Sequence, residues 1–249
     1  MADRIILEEK PYKRVYREGD VVWKEFIPSY PKYKVFNEAY IQSCVESCGI
    51  SIPKILSVTC RDGSWALSMD YIEGKPLQQF IDENPEKTDV YLEQLVEIQL
   101  EAGNYRVPQL RNTISKMEEV IQESGGIDST TRYELLQRLH GMKRHTKLCH
   151  GDFVPSNVII RDDGSYCILD WSHATSGNAG ADAAHTYMQF CLKEKEYAED
   201  YLNIFCERSG MSLQYVQKWL PIVAAVQLSS KNESEKELLT QWMNVVEYQ

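Results

Sequence analysis

Residues His150 to Asp170 read HGDFVPSNVIIRDDGSYCILD. The stretches Val158 to Ile160 and Cys167 to Leu169 are apolar at every position, the pattern of short strands buried on both faces. Between them Asp163-Gly164 is a strong signal for a two-residue hairpin loop. With those two residues as the loop, Asp162 stands opposite Ser165. Counting back places Asn157 opposite Asp170, with Cβ atoms about 5 Å apart. An amide and a carboxylate closing a buried hairpin make an oxygen-donor site, and hard cations such as Mg2+ take oxygen ligands. Asp152 stands a few residues before Asn157, and residues 151 to 170 carry four acids against one base, Arg161. Each polar residue alone is explained by capping a strand or a turn. The three together, beside His150 and Gly151, point to chemistry.

Upstream, RVYREGDVVWKEF reads as two strands around Glu18-Gly19-Asp20, and PKILSVTCRDGSWALSMDYI as two more around Arg61-Asp62-Gly63. VFNEAYIQSCVESCG between them has helical spacing over Val35, Tyr40 or Ile41, Cys44, Val45 and Cys48, and ends at Gly49. The character changes at MDYIEGKPL, where a strand runs into Gly-Lys-Pro, a place for a hinge. Beyond it the 3.6-residue period recurs over 76–81, 90–100, 130–139, 181–192, 197–205, 215–226 and 235–246. The expected architecture is therefore α+β and bilobal: residues 1–73 form a small β-rich lobe and 74–249 a larger, mainly helical one.

The 249 residues carry a formal net charge of −10 with both signs mixed along the chain, which argues against a nucleic-acid surface. Seven cysteines without a CxxC pair suggest neither a disulfide framework nor a zinc site. The charged start MADRIILEEK and the lack of a long apolar run argue against export or a membrane, so a cytoplasmic protein is expected. There is no Walker A loop, H-E-x-x-H, G-x-S-x-G or EF-hand spacing.

HGDFVPSN followed by the Asp of LDW resembles the catalytic segment of the aminoglycoside phosphotransferase and choline kinase family, relatives of the protein kinases, whose H-R-D-x-x-x-x-N has the same Asp-to-Asn spacing. The resemblance implies a protein-kinase-like fold and a small-molecule kinase dependent on Mg2+ and ATP, with GTP as the alternative nucleotide. The acceptor would be a hydroxyl of an aminoglycoside-like, choline-like or sugar-like compound, and the protein a monomer or weak dimer. By the same resemblance Asp152 is the catalytic residue that accepts the hydroxyl proton, and Asn157 and Asp170 hold metal. Lys24 contacts the α and β phosphates and Glu38 is its partner, with Glu46 the competing helical acid. The backbone of Asp70, Tyr71 and Ile72 meets the nucleotide base, and Met69 and Ile168 supply apolar faces. His150 braces the loop, Trp171 packs beneath it, and Asp182 steadies it or caps a helix.

The sequence departs from the pattern in places. EEKPYKRVYREG lacks the kinase glycines, which leaves phosphate contact to backbone amides near Tyr12 to Arg14. D-F-G and A-P-E signatures are absent, which disfavours a protein acceptor. A catalytically silent nucleotide-binding module acting through protein partners is the alternative reading. For the acceptor, Glu194, Glu196, Glu199 and Asp200 would suit amines, and Trp171, Tyr187, Trp219 and Trp242 a quaternary ammonium. A solvated helix face and core filling explain the same residues.

Overall fold

A computed structural model describes residues 4–193, 195–228 and 233–243 of the protein. In chain order its strands are β1 (Arg4–Lys10), β2 (Lys13–Glu18), β3 (Val21–Phe26), β4 (Ile55–Arg61), β5 (Ser64–Asp70), β6 (Lys75–Pro76), β7 (Lys147–Cys149), β8 (Val158–Ile160), β9 (Tyr166–Ile168) and β10 (Thr175–Gly177). Its helices are α1 (Lys32–Glu46), α2 (Leu77–Glu83), α3 (Thr88–Ala102), α4 (Thr113–Glu123), α5 (Ser129–Gly141), α6 (Ala179–Leu192), α7 (Ala198–Ser209), α8 (Leu213–Gln217), α9 (Leu220–Leu228) and α10 (Glu233–Met243). The chain divides into two compact units, Met1–Phe80 with Pro155–Ala174, and Ile81–Val154 with Thr175–Gln249.

The first unit is built on an antiparallel sheet of five strands in the order β1-β2-β3-β5-β4. Its turns follow the sequence signals: Glu18 pairs with Val21 across Gly19, and Arg61 with Ser64 across Asp62 and Gly63, both at positive φ. Strand β1 is an addition to the expected four. Its Ile5, Ile6 and Leu7 are all exposed, so no buried alternation marks it, and pairing with β2 from Arg4↔Glu18 to Lys10↔Lys13 fixes it instead. Helix α1 buries Val35, Ala39, Gln42 and Val45, while Tyr40 is exposed. Val35 and Ala39 join Phe26, Leu67 and Met69 in the core of this unit. Gln42 is tolerated inside because its Nε2 donates to Pro53 O at 2.8 Å.

Strands β6, β8 and β9 make a second, three-stranded sheet. Its hairpin corrects the expected register. Val158 faces Ile168, Ile159 faces Cys167 and Ile160 faces Tyr166. Arg161 N–H donates to Ser165 O, and Gly164 N–H to Arg161 O, both at 2.9 Å. The loop is therefore Asp162, Asp163 and Gly164, three residues ending on a glycine at φ 82. Asp163 Oδ1 stabilises it by accepting from Ser165 N–H at 2.9 Å. The register slips by one, so Asn157 stands level with Leu169, whose N–H donates to Asn157 O at 2.7 Å. Asp170, the expected partner, lies one residue beyond the position level with Asn157. Gly74, just before β6, sits at φ 138 against the Ile160 carbonyl, an approach that no Cβ could share.

The second unit is mainly helical. Helix α4 was not marked by the periodicity; Asn112 starts it by accepting from Ile114 N–H at 3.0 Å. The single helix expected over 215–226 is two, α8 and α9. Pro221 has no N–H to give Gln217, the last residue of α8, and its ring crowds that carbonyl, so the helix must restart. The expected helix over 235–246 is observed as α10 up to Met243; 244–246 lie outside the described residues. All seven cysteines are free thiols. Among the described residues no helix is long and apolar enough to cross a membrane.

Candidate active site

Lys24 sits on β3, a strand paired on both edges, opposite Val15 of β2 and Leu67 of β5. A lysine there is inside the sheet unit, with 6% of its surface exposed. Burial of an ammonium demands anionic acceptors, and two are supplied. Nζ donates to Glu38 Oε1 at 2.7 Å, from helix α1, and to Asp170 Oδ1 at 3.0 Å. Glu46, the other helical acid, accepts from Ile55 N–H at 3.3 Å instead. Asp170 takes the left-handed conformation at φ 54, ψ 63, which turns the chain out of the β8–β9 hairpin into a single 3-10 turn over Trp171–His173. Such a conformation in a non-glycine residue is held by its surroundings. Trp171 anchors the turn: it is fully buried and its Nε1 donates to Ile168 O at 3.0 Å.

The charges reinforce one another. Burial drives Asp170 toward the neutral acid, but Lys24 and then Lys13 more than offset it, and the carboxyl is held far below the ordinary carboxylate range. Burial likewise acts to discharge Lys24, and Asp170 and Glu38 outweigh it, so its ammonium is raised above the usual lysine value. Lys24 and Asp170 are thus both ionised at any physiological pH.

The segment after β5 is tied back. Asp70 N–H donates to Lys54 O at 3.1 Å and Tyr71 N–H to Asp20 O at 2.9 Å. Arg17 covers the Tyr71 ring at 3.6 Å. Ile72 follows these two tethered residues. Met69 belongs to the core of the unit, and Ile168 is fully buried on β9 with its N–H given to Ser51 O at 2.9 Å.

In the second unit, β7 leads into His150-Gly151-Asp152. Asp152 N–H donates to His150 Nδ1 at 3.2 Å, and Gly151 N–H to Asp182 Oδ1 at 2.7 Å. The brace expected of His150 is present, and Asp182 grips the loop while Asn178 caps α6 by accepting from Gly180 N–H. Phe153 O accepts from Thr186 Oγ1 at 2.9 Å, so α6 holds the loop at two points.

Among the described residues, the structure therefore brings Lys24, Glu38 and Asp170 into direct contact and ties Asn157 to the same hairpin, while Asp152 is presented by a separately braced loop. Residues 10–213 match the model of the phosphotransferase enzyme family, APH. The chain belongs to that family. It is a small-molecule phosphotransferase with a kinase-like fold. No curated protein matches this phosphotransferase by sequence. Among solved structures it is similar to a thermostable mutant of aminoglycoside phosphotransferase APH(4)-Ia in ternary complex with ADP and hygromycin B: 16% identity, 96% of this chain and 91% of that one, TM-score 0.71. An aminoglycoside-3'-phosphotransferase of type VIII aligns at 13% identity over 90% of this chain and 93% of that one, TM-score 0.66. APH(3'')-Id from Streptomyces rimosus aligns at 17% identity over 90% and 93%, TM-score 0.59.

Two residues that hold Asp182, the support of the Gly151 loop, escaped the sequence reading. Gln99 on α3 donates from Nε2 to Asp182 Oδ2 at 3.1 Å, and Tyr201 on α7 donates to Gln99 Oε1 at 2.7 Å. The available signal was Gln99 itself, a polar residue on the buried face of α3 beside Leu92, Leu95 and Val96. The acceptor candidates divide differently. Glu196, Glu199 and Asp200 are exposed, with Glu199 accepting from Tyr187 OH at 2.5 Å, and Glu194 lies outside the described residues. Trp171, Tyr187 and Trp219 are buried, and Trp242 meets Tyr187 edge-on at 5.9 Å.

Proposed function

We propose that the protein transfers the γ-phosphoryl group of ATP, with Mg2+, to a hydroxyl of a small molecule. Residues 1–73 would handle the nucleotide and the helices of 74–249 the acceptor. The observation that carries this is the buried Lys24 held by the half-buried carboxylates of Glu38 and Asp170. Phosphoryl transfer is catalysed by positioning and charge neutralisation, and a lysine fixed by a helical glutamate is the device that presents a cation to phosphates. Fold relatives solved with ADP and hygromycin B, and with streptomycin and ATP, are in keeping with it.

The donor set fits Mg2+. Asp170 is ionised and Asn157 adds an amide oxygen, both hard ligands. Among the described residues no group of three or more His, Cys, Asp or Glu could hold a metal alone. That suits an ion held by one carboxylate and completed by phosphates and water. When bound, the metal supplies charge neutralisation on the phosphates. The chain's own residues do the rest: Lys24 contacts the phosphates, Glu38 fixes Lys24, and the tether at Tyr71 presents the backbone around Ile72 to the base. Asp152 accepts the hydroxyl proton from a loop held by His150 and Asp182.

Calorimetry with Mg-ATP, and ATP consumption across a panel of amino sugars, choline-like alcohols and sugars, test the proposal. Asp152→Asn is expected to abolish turnover while leaving nucleotide affinity nearly intact; a variant with full phosphorylation of the acceptor refutes the role of Asp152.

A further inference from the structure

Lys13 opens strand β2 with 7% of its surface exposed, yet its ammonium group is loosely satisfied. Nζ lies 3.3 Å from Glu8 Oε2 and 3.8 Å from Asp170 Oδ2. The first is a long contact and the second is beyond hydrogen-bond reach. Three ammonium donors buried with so little acceptance call for further oxygens. Asp170, meanwhile, carries Lys24 on its other oxygen at 3.0 Å. One carboxylate is thus held between two buried cations.

The backbone around Lys13 is occupied. Lys13 pairs with Lys10 on β1 and Phe26 on β3, Arg14 is likewise paired on both sides, and Tyr12 O accepts from Ile27 N–H. A strand flanked on both edges directs its amides into the two ladders. The Lys13 and Arg14 amides, two of those that the sequence suggested for phosphates, are therefore committed to the sheet, which leaves the Lys13 side chain as the candidate group. We infer that Lys13 is a second phosphate-binding lysine, taking the place of a glycine-rich loop. It neutralises Asp170 in the nucleotide-free protein, and its ammonium passes to the polyphosphate oxygens when the metal nucleotide takes over that carboxylate. The inference rests on the nucleotide-dependent kinase reading above.

The test measures dissociation constants of the full-length protein for adenosine, AMP, ADP and ATP, each with Mg2+, in wild type, Lys13→Met and Lys13→Arg. Thermal melting of each variant verifies folding. Lys13→Met is expected to weaken Mg-ATP on the order of tenfold while adenosine stays within about twofold of wild type. Lys13→Arg, which keeps the cation, is expected to retain most of the Mg-ATP affinity. Unchanged Mg-ATP affinity in Lys13→Met overturns the inference, as does equal weakening of adenosine and ATP, which marks a structural role. A wild type that binds none of these ligands sinks the kinase reading itself, an outcome distinct from a variant that matches a binding wild type.

Discussion

Replacing Lys24 with Met removes the buried cation that two half-buried carboxylates share. At N–O separations of 2.7 and 3.0 Å, each attraction is about 6 kcal/mol at an effective dielectric near 20, and burying the three groups cancels most of it. The substitution deletes the attraction and leaves the burial: the Glu38 and Asp170 side chains are only 12% and 28% exposed. Lys13, 3.8 Å from Asp170, softens the loss on that side. The expected cost is about 3 kcal/mol, the lower end for breaking a buried ion pair. Adding Glu38→Leu removes one orphaned anion and should recover about 1–2 kcal/mol. Urea unfolding followed by tryptophan fluorescence reads both, since Trp23, Trp65 and Trp171 all lie in the sheet unit. A single-variant cost under about 1 kcal/mol, or a double variant no more stable than the single, would refute the reasoning.

Gly74→Ala meets the Ile160 carbonyl and the Ile159 side chain at an unfavourable φ and should cost about 2–4 kcal/mol, whereas Gly125→Ala, in open space, should stay within about 0.5 by the same melts. Tyr201→Phe withdraws the donor from Gln99 Oε1 and should cost about 1–2 kcal/mol, with slower turnover and unchanged Mg-ATP affinity if the relay to Asp182 steadies the catalytic loop. Lys116 on α4 is pushed down to about 8, by burial and then by Arg111. The folded protein releases that proton before the unfolded chain does, so the cost of its charge is full below about pH 8 and fades as pH rises toward 10.5. Lys116→Met should therefore raise the melting temperature near pH 7 by calorimetry, with the gain shrinking toward about pH 10.

What the sequence disclosed followed the specificity of the chemistry. HGD-x4-N and the Asp of LDW are residue types at fixed spacing, and Lys24 and Glu38 were placed by the family resemblance these carry, on a strand and a helix that the sequence also marked. The choice between Glu38 and Glu46 was open in sequence, since both lie on α1, and only the contact at Lys24 separates them. The hairpin register was not legible because Asp-Gly serves two- and three-residue loops alike, and the difference of one residue moves Asp170 past Asn157. Strand β1 escaped because its apolar residues face solvent. The Gln99 relay escaped because its partners lie 83 and 102 residues away along the chain. Pro221 was visible throughout, but the apolar period of 215–226 outweighed it.

The contact between Lys24 and Asp170 spans 146 residues of chain. At ribosomal speeds of about 5–20 residues per second, roughly 7–30 seconds separate synthesis of the lysine from that of the aspartate. During that interval the nascent sheet holds a cation matched to Glu38 alone, and strands β8 and β9 do not yet exist. A polypeptide halted after Phe80 would lack these parts permanently, so the sheet unit is expected to mature late in translation and to need chaperone shelter until the hairpin emerges.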